Sequence, residues 1–207
     1  MAIPSLSVYD MPQPHDFPAN KVSWEFVPDR AVLLIHDMQD YFIQFYGRQN
    51  QLVTQLIENI AVLRRSCKSQ GIPVVYTAQP NNQSPEDRAL LNDMWGPGIN
   101  RCPELQPVVS ALRPDDDDTV LVKWRYSAFH RSPLEEKMRK WERDQLIICG
   151  VYGHIGCMIT ATDAFMRDIK AFLVGDAIAD FSRRDHMMAL DYVASRAGQV
   201  VSVAELA

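Results

Sequence analysis

Residues 145–168, QLIICGVYGHIGCMITATDAFMRD, decide the fold of this chain. Leu146 to Cys149 is a short apolar run of strand type, broken at Gly150. After Gly153, the positions Ile155, Met158, Ile159, Thr162, Phe165, Met166 and Ile169 recur at helical spacing. Strand, glycine-broken turn, helix is the geometry of a site. In an open α/β sheet the crevice beyond a strand's carboxyl end takes ligands, because helix N-terminal N–H groups are unpaired there. The turn also holds Cys157, which raises the question of a nucleophile.

Working outward, the same alternation recurs. Ala31 to Ile35 is a continuous apolar run, typical of a strand buried on both faces of a parallel sheet. Further strands are expected at Pro73 to Ala78, Thr119 to Val122, within KAFLVGDAIADF (residues 170–181) and at Gln199 to Val203. Helical spacing runs from Leu52 to Leu63, ended by Gly71 and Pro73, and again from Arg184 to Ala197. Ser132, Pro133 and Glu135 form a helix-start signature for a helix reaching about Arg143, and a short helix is expected from Glu86 to Met94. Strands alternating with helices call for an open, doubly wound α/β fold, with a predominantly parallel six-stranded sheet and helices on both faces. Residues 1–29, with five prolines, are expected to form an extended N-terminal arm anchored by Trp24 and Phe26. The excursion from Pro80 to Asp118 is long for a compact domain and reads as a lid or binding loop.

The composition excludes several functions. At 207 residues, one domain is expected. A net charge of −5 without a basic cluster argues against nucleic acid or an anionic membrane as partner. No apolar run suits a membrane span and the N-terminus lacks a signal-peptide pattern, so a cytoplasmic protein is expected. Cys67, Cys102, Cys149 and Cys157 show no metal-binding or disulfide spacing. Neither G-x-G-x-x-G nor a P-loop is present, which disfavours a nucleotide. The run Asp115 to Asp118 reads as a solvated turn.

Asp37, Gln79, Lys123 and the backbone from Tyr152 to Gly156 fall at the carboxyl ends of four strands. If those strands are adjacent, the groups converge on one pocket holding a proton donor or acceptor, a charge clamp and an amide cradle. Taken singly, Asp37 is also readable as a helix cap and Lys123 as a surface charge.

The motifs HDMQDYF, YTAQP, NDMWGPG, KWRYSAFHRSPL, GVYGHIGCM and TDAFMRDIKAFLVGDAIADFS resemble, across nearly the whole chain, the isochorismatases of siderophore and phenazine pathways. These belong to the isochorismatase-like, or cysteine hydrolase, superfamily, and the siderophore type that makes 2,3-dihydroxybenzoate is the nearer match. The resemblance implies an isochorismatase-like, Rossmann-like domain, no cofactor and no metal. Amidohydrolases of the superfamily, such as nicotinamidases, use an Asp, a Lys and a Cys; matched motif to motif, these fall on Asp37, Lys123 and Gly156. Cys157 lies about 100° further round the helix and reads as a packing residue.

The resemblance therefore implies hydrolysis of isochorismate, by general-acid protonation of its vinyl ether from Asp37, to 2,3-dihydro-2,3-dihydroxybenzoate and pyruvate without a covalent intermediate. Gln79 and Arg88 would bind substrate carboxylate or hydroxyl groups. Tyr152 and the Gly156 amide would contact the enolpyruvyl carboxylate or ring, and Phe42, Trp95, Tyr126 and Phe129 would supply apolar walls. For these aromatics plain core packing remains open, as does a packing, orienting or proton-relay role for His36 and His154. The resemblance also makes a cis peptide at Val151 to Tyr152 an expectation. It further implies a homo-oligomer, dimer or higher, and siderophore-pathway synthetase or carrier proteins as partners. The sequence holds no Asp-Ser dipeptide or second domain, so no carrier function is expected of residues 1–207. Two rivals stand beside this reading: a cysteine amidohydrolase acting through Cys157, and a catalytically idle biosynthetic scaffold.

Overall fold

The computed structural model describes residues 3–47 and 50–207; the first two positions of the expected arm lie outside them. Six strands form one sheet: β1 (Ala31–His36), β2 (Val74–Ala78), β3 (Thr119–Val122), β4 (Gln145–Val151), β5 (Lys170–Ala179) and β6 (Gln199–Val201). Their order is β3-β2-β1-β4-β5-β6 and every adjacent pair is parallel. Strand order reverses between β1 and β4, where connections leave in opposite directions and open a crevice above the strand ends. Register levels those ends, since His36 pairs with both Thr77 and Gly150 and Ala78 pairs with Val122.

Period-two alternation divides β1 between two cores. Ala31, Leu33 and Ile35 join one apolar cluster, while Val32 and Leu34 join the other. Helix α1 (Asp40–Ile43) and the long helix α2 (Gln51–Ser69) cover the first face. In α2 the buried residues Leu52, Leu56, Ile60, Leu63 and Cys67 form one stripe, and Asn50 caps its start by accepting from the Leu52 amide at 3.0 Å. Each such leucine or isoleucine contributes about 1.5–3 kcal/mol by leaving water. The other face carries α5 (Leu134–Lys140), α6 (Met158–Phe165) and α7 (Arg183–Tyr192), and α8 (Val203–Leu206) returns to the first.

Local corrections follow from hydrogen bonding. The helix expected over Glu86 to Met94 divides into α3 (Pro85–Arg88) and α4 (Leu91–Trp95), because Ala89 between them has φ +43°. Helix α5 ends at Lys140 and has no capping box: Ser132 Oγ accepts the Leu134 amide, while Glu135 pairs with Arg167. The helix after β4 begins with a π turn, Gly153–Cys157. The run Asp115 to Asp118 is held onto α2 by Lys68 and Arg64, with the Asp118 side chain buried. Residues 3–27 run over the surface without a strand; the Leu6 amide bonds Phe45 O, the Lys21 amide bonds Ala194 O, and Trp24 and Phe26 pack edge-on against Phe172. Among the described residues no helix is long and apolar enough to cross a membrane.

Candidate active site

Above the β1/β4 reversal lies a cleft whose empty space, its open mouth included, is about 590 Å³. Its floor is Asp37, which follows β1 directly and is buried. The Asp37 backbone sits at φ +50°, a strained region worth roughly 1–3 kcal/mol for a non-glycine residue and typical of functional positions. Two donors, one on β2 and one at the end of β3, hold its carboxylate: Thr77 Oγ1 donates to Oδ1 at 2.6 Å and Lys123 Nζ donates to Oδ2 at 3.2 Å. Thr77 is the register partner of His36, and Lys123 continues β3 with its amide on Ala78 O at 2.9 Å. The ends of β1 and β3, on either side of β2, thus aim a carboxylate and an ammonium into the same cleft.

The excursion from Pro80 to Asp118 closes one side of the cleft. It contributes Arg88, Leu91, Trp95 and Gly98, and Trp95 Nε1 donates across to Tyr126 Oη at 3.0 Å. Buried Gln39 ties the excursion to the sheet by donating to Gln79 O at 2.9 Å and Gln106 O at 2.6 Å. The Gln79 side-chain amide lines the cleft without an internal partner among the described residues. The Arg88 guanidinium is buried, and its donors go to Gly96 O at 2.7 and 3.2 Å and to Gln83 Oε1 at 3.2 Å. Burial lowers its pKa, and no carboxylate among the described residues pairs with it.

The turn after β4 differs from the expected cradle. The amides of Ile155, Gly156 and Cys157 all converge on Tyr152 O, at 3.3, 2.9 and 3.2 Å, so the Gly156 amide is already engaged inside the π turn. The Tyr152 hydroxyl is engaged too, donating to Phe42 O at 2.7 Å, and its ring forms wall rather than a polar contact. The peptide before it, Val151 to Tyr152, is cis. What Gly156 supplies is space. An added Cβ would lie 2.0 Å from His36 Cε1 and 2.7 Å from Nε2, because the buried imidazole of His36 fills the volume beneath it. His36 Nδ1 lies 2.8 Å from Val151 O and Nε2 3.3 Å from Tyr126 O; a neutral ring donates to one of them, and the shorter distance assigns the proton to Nδ1, which stands 3.6 Å from Asp37 Oδ2. Burial holds the His36 pKa at about 4, so the ring is neutral near pH 7.

Cys157 points away from the cleft into the opposite core, beside Ala161 and Ala164. Burial pushes its thiol well above the ordinary range, the reverse of what a thiolate nucleophile needs. His154 is fastened by Asp180, which accepts both its backbone amide and its ring. Burial pulls the His154 pKa down, but the hydrogen bond and charge of Asp180 outweigh it and the net shift is upward.

Phe42, Trp95, Tyr126 and Tyr152 line the cleft, but Phe129 does not. The chain turns after Tyr126, with the Ala128 amide on Thr160 Oγ1 at 3.0 Å and Ser127 Oγ on Asp163 Oδ2 at 2.5 Å. Those bonds press Phe129 against α6, under the Arg167 guanidinium at 4.9 Å. Absent from the sequence reading are Thr77, Arg125, Tyr41 and Phe181. Arg125 had a signal, a second cation two residues after Lys123; Thr77 had none, since only the β1–β2 register places it beside Asp37.

The arrangement can move a proton beside a bound anion in an apolar cleft. Among the described residues, the one grouping of acids that would suit a metal is Asp115, Asp117 and Asp118, whose carboxylates are engaged by Lys68 and Arg64 away from the cleft. The model of the isochorismatase domain matches residues 31–205. Enterobactin synthase component B of Escherichia coli K12 is 66% identical over 206 residues, a match spanning 100% of this chain and 72% of that protein. Isochorismatase of Bacillus subtilis is 59% identical over 95% of this chain, which spans 63% of that relative. Among solved structures, a cysteine hydrolase from Pseudomonas syringae pv. phaseolicola superimposes with a TM-score of 0.80 at 23% identity, over 91% of this chain and 95% of that one, a likeness of fold.

Proposed function

The chain belongs to the isochorismatase family, and on that premise we propose that its cleft hydrolyses the vinyl ether of isochorismate, with Asp37 as general acid, in catechol siderophore biosynthesis. Isochorismate and water give 2,3-dihydro-2,3-dihydroxybenzoate and pyruvate. Asp37 delivers a proton to the terminal methylene carbon of the enolpyruvyl group, which leaves an oxocarbenium ion at the ether carbon. Water adds to that carbon and returns a proton to the Asp37 carboxylate. The resulting hemiketal collapses: its hydroxyl proton passes to the ring oxygen, the bond between that oxygen and the former ether carbon breaks, and pyruvate leaves while the ring keeps its hydroxyl. Lys123 and Thr77 hold the carboxylate in place, and Gln79 and Arg88 orient the anionic substrate. Phe42, Trp95, Tyr126 and the Tyr152 ring keep competing water out.

One observation carries this reading: the buried carboxylate of Asp37 is gripped by Lys123 at 3.2 Å and Thr77 at 2.6 Å in a cleft that no thiol among the described residues lines. Breaking an ether by carbon protonation needs an acid and no nucleophile, whereas an amidohydrolase needs the thiolate that buried Cys157 does not offer. The test is pyruvate release from isochorismate, followed with lactate dehydrogenase. Asp37→Asn is expected to slow it by about 10²–10⁴-fold and Cys157→Ala to leave it within a few-fold. Equal rates for wild type and Asp37→Asn would remove the acid; a folded wild type that releases no pyruvate would remove the substrate. A cytoplasmic location, a homo-oligomer and carrier or synthetase partners belong to the same proposal, and light scattering that returns a monomer mass would remove the oligomer.

A further inference from the structure

A second arginine lines the cleft beside Arg88. Arg125 lies two residues past Lys123 and is half-buried in the cleft wall. Its Nη1 donates to two backbone carbonyls, Trp124 O at 2.6 Å and Asp87 O at 3.0 Å, the latter in the residue preceding Arg88. Those bonds fix the plane of the fork, and Nε and Nη2 have no partner among the described residues. The nearby carboxylate of Asp87 is engaged elsewhere, by Ser84 Oγ at 3.3 Å and Arg131 Nη2 at 3.4 Å. Burial first, and then the charge of Arg125, pull the Arg88 pKa below its ordinary value, so the two cations feel one another.

The charge balance of the cleft is therefore unequal. Lys123, Arg88 and Arg125 line it against one carboxylate among the described residues, that of Asp37, which Lys123 already occupies. Neutral oxygens meet part of that charge, at Gly96 and Gln83 for Arg88 and at Trp124 and Asp87 for Arg125, but two adjacent guanidinium groups without an acid among the described residues still favour an incoming anion. One carboxylate would satisfy one fork, and a planar fork pairs bidentately with one carboxylate at a time. We infer that Arg125 is a second substrate clamp, so that the cleft selects ligands bearing two carboxylates, one for Arg88 and one for Arg125. This rests on the isochorismatase reading, whose substrate carries a ring carboxylate and an enolpyruvyl carboxylate, and it adds a specificity residue to that reading.

The experiment has two arms. Steady-state pyruvate release from isochorismate is measured for wild type, Arg125→Gln and Arg125→Lys, with thermal melts as the control for folding. Calorimetric titration then compares 3-(carboxymethoxy)benzoate, a dianion with an ether oxygen between ring and second carboxylate, with the monoanion 3-methoxybenzoate. Arg125→Gln is expected to raise KM about 10- to 100-fold with kcat within about three-fold, the scale of one lost charge-assisted pair. Arg125→Lys recovers part of that loss, keeping the charge without the fork. Wild type binds the dianion at least about ten-fold more tightly than the monoanion, and Arg125→Gln loses this preference while its affinity for the monoanion holds. A folded Arg125→Gln with unchanged KM, or a wild type that holds both probes equally, overturns the clamp. A wild type that prefers the dianion through Arg125 yet releases no pyruvate overturns isochorismate as substrate and upholds the clamp.

Discussion

Replacing Gly156 by alanine adds one methyl group and is expected to do disproportionate damage. The new Cβ would stand 2.0 Å from His36 Cε1, against an ordinary carbon–carbon contact of about 3.5 Å. A shift of about 1.5 Å is therefore required of the His36 ring. His36 is buried on β1 and fastened by its Nδ1–H to Val151 O at 2.8 Å. Overpacking of this kind costs about 1–3 kcal/mol, and leaving the buried Nδ1–H unpaired about 1–3 kcal/mol more. For a chain of this length the sum lowers Tm by roughly 5–20 °C. Catalysis falls as well, because His36 Nδ1 stands 3.6 Å from Asp37 Oδ2 and a displacement near 1 Å at the acid is worth on the order of 10²-fold. The assay is a thermal melt paired with pyruvate release, run on Gly156→Ala, His36→Ala and the double variant. Removing the ring should make room for the methyl, so the double variant melts above the sum of the two single losses. A Gly156→Ala protein that melts within 1–2 °C of wild type at full turnover, or strictly additive losses, would refute the reasoning.

Two further outcomes follow from the same geometry. Thr77→Val keeps the shape of β2 but removes the donor to Asp37 Oδ1 at 2.6 Å; kcat should fall about ten-fold or more with KM little changed, and an unchanged kcat would show that this hydroxyl does not position the acid. Two buried imidazoles should lower stability in acid, offset in part by His154, whose raised pKa acts in the opposite sense. Burial depresses the pKa of both His36 and His186 to about 4, from 6.5, so the unfolded chain binds more protons between those values. Their contribution is present above pH 6.5 and is lost as pH falls toward 4, on the order of 3 kcal/mol each. Urea denaturation from pH 7 to pH 4 should show that loss, and His186→Gln should flatten it; a wild-type curve level across the window would contradict it.

His186 also shows how a histidine's role escapes a sequence reading. It falls inside the helix expected from Arg184 to Ala197, with nothing to mark it. In the folded chain its Nε2–H donates to Gly175 O at 2.9 Å and its Nδ1 accepts from Tyr9 Oη at 3.0 Å, which sets the neutral tautomer. Tyr9 Oη in turn accepts the Asp180 amide at 2.8 Å, tying the N-terminal arm to the residue that fastens His154. Such a network joins positions more than 170 apart, and no local pattern announces it.

The parallel sheet was legible because buried strands and amphipathic helices impose their periods directly on the residues. Ala31 to Ile35 is apolar throughout since both faces of β1 are covered, and α2 repeats its apolar positions because only one face is. The convergence of Asp37, Gln79 and Lys123 was legible for the same reason: a residue just past a parallel strand stands at the level of its neighbours' ends. Side-chain direction and hydrogen-bond allocation were not. Whether the amide of Gly156 faces a ligand or Tyr152 O depends on a π turn that its composition does not signal. Phe129 and Tyr126 share one motif, yet contacts to Thr160 and Asp163 turn one into the core and leave the other at the cleft. Arg125 acquires its meaning only from what does not surround it. By itself the sequence determined the layers, the strand ends and the residue types available there, because these follow from local periodicity. The tertiary structure alone decided which polar groups are already paired and which remain for a ligand, because pairing depends on distances between segments that the chain order keeps far apart.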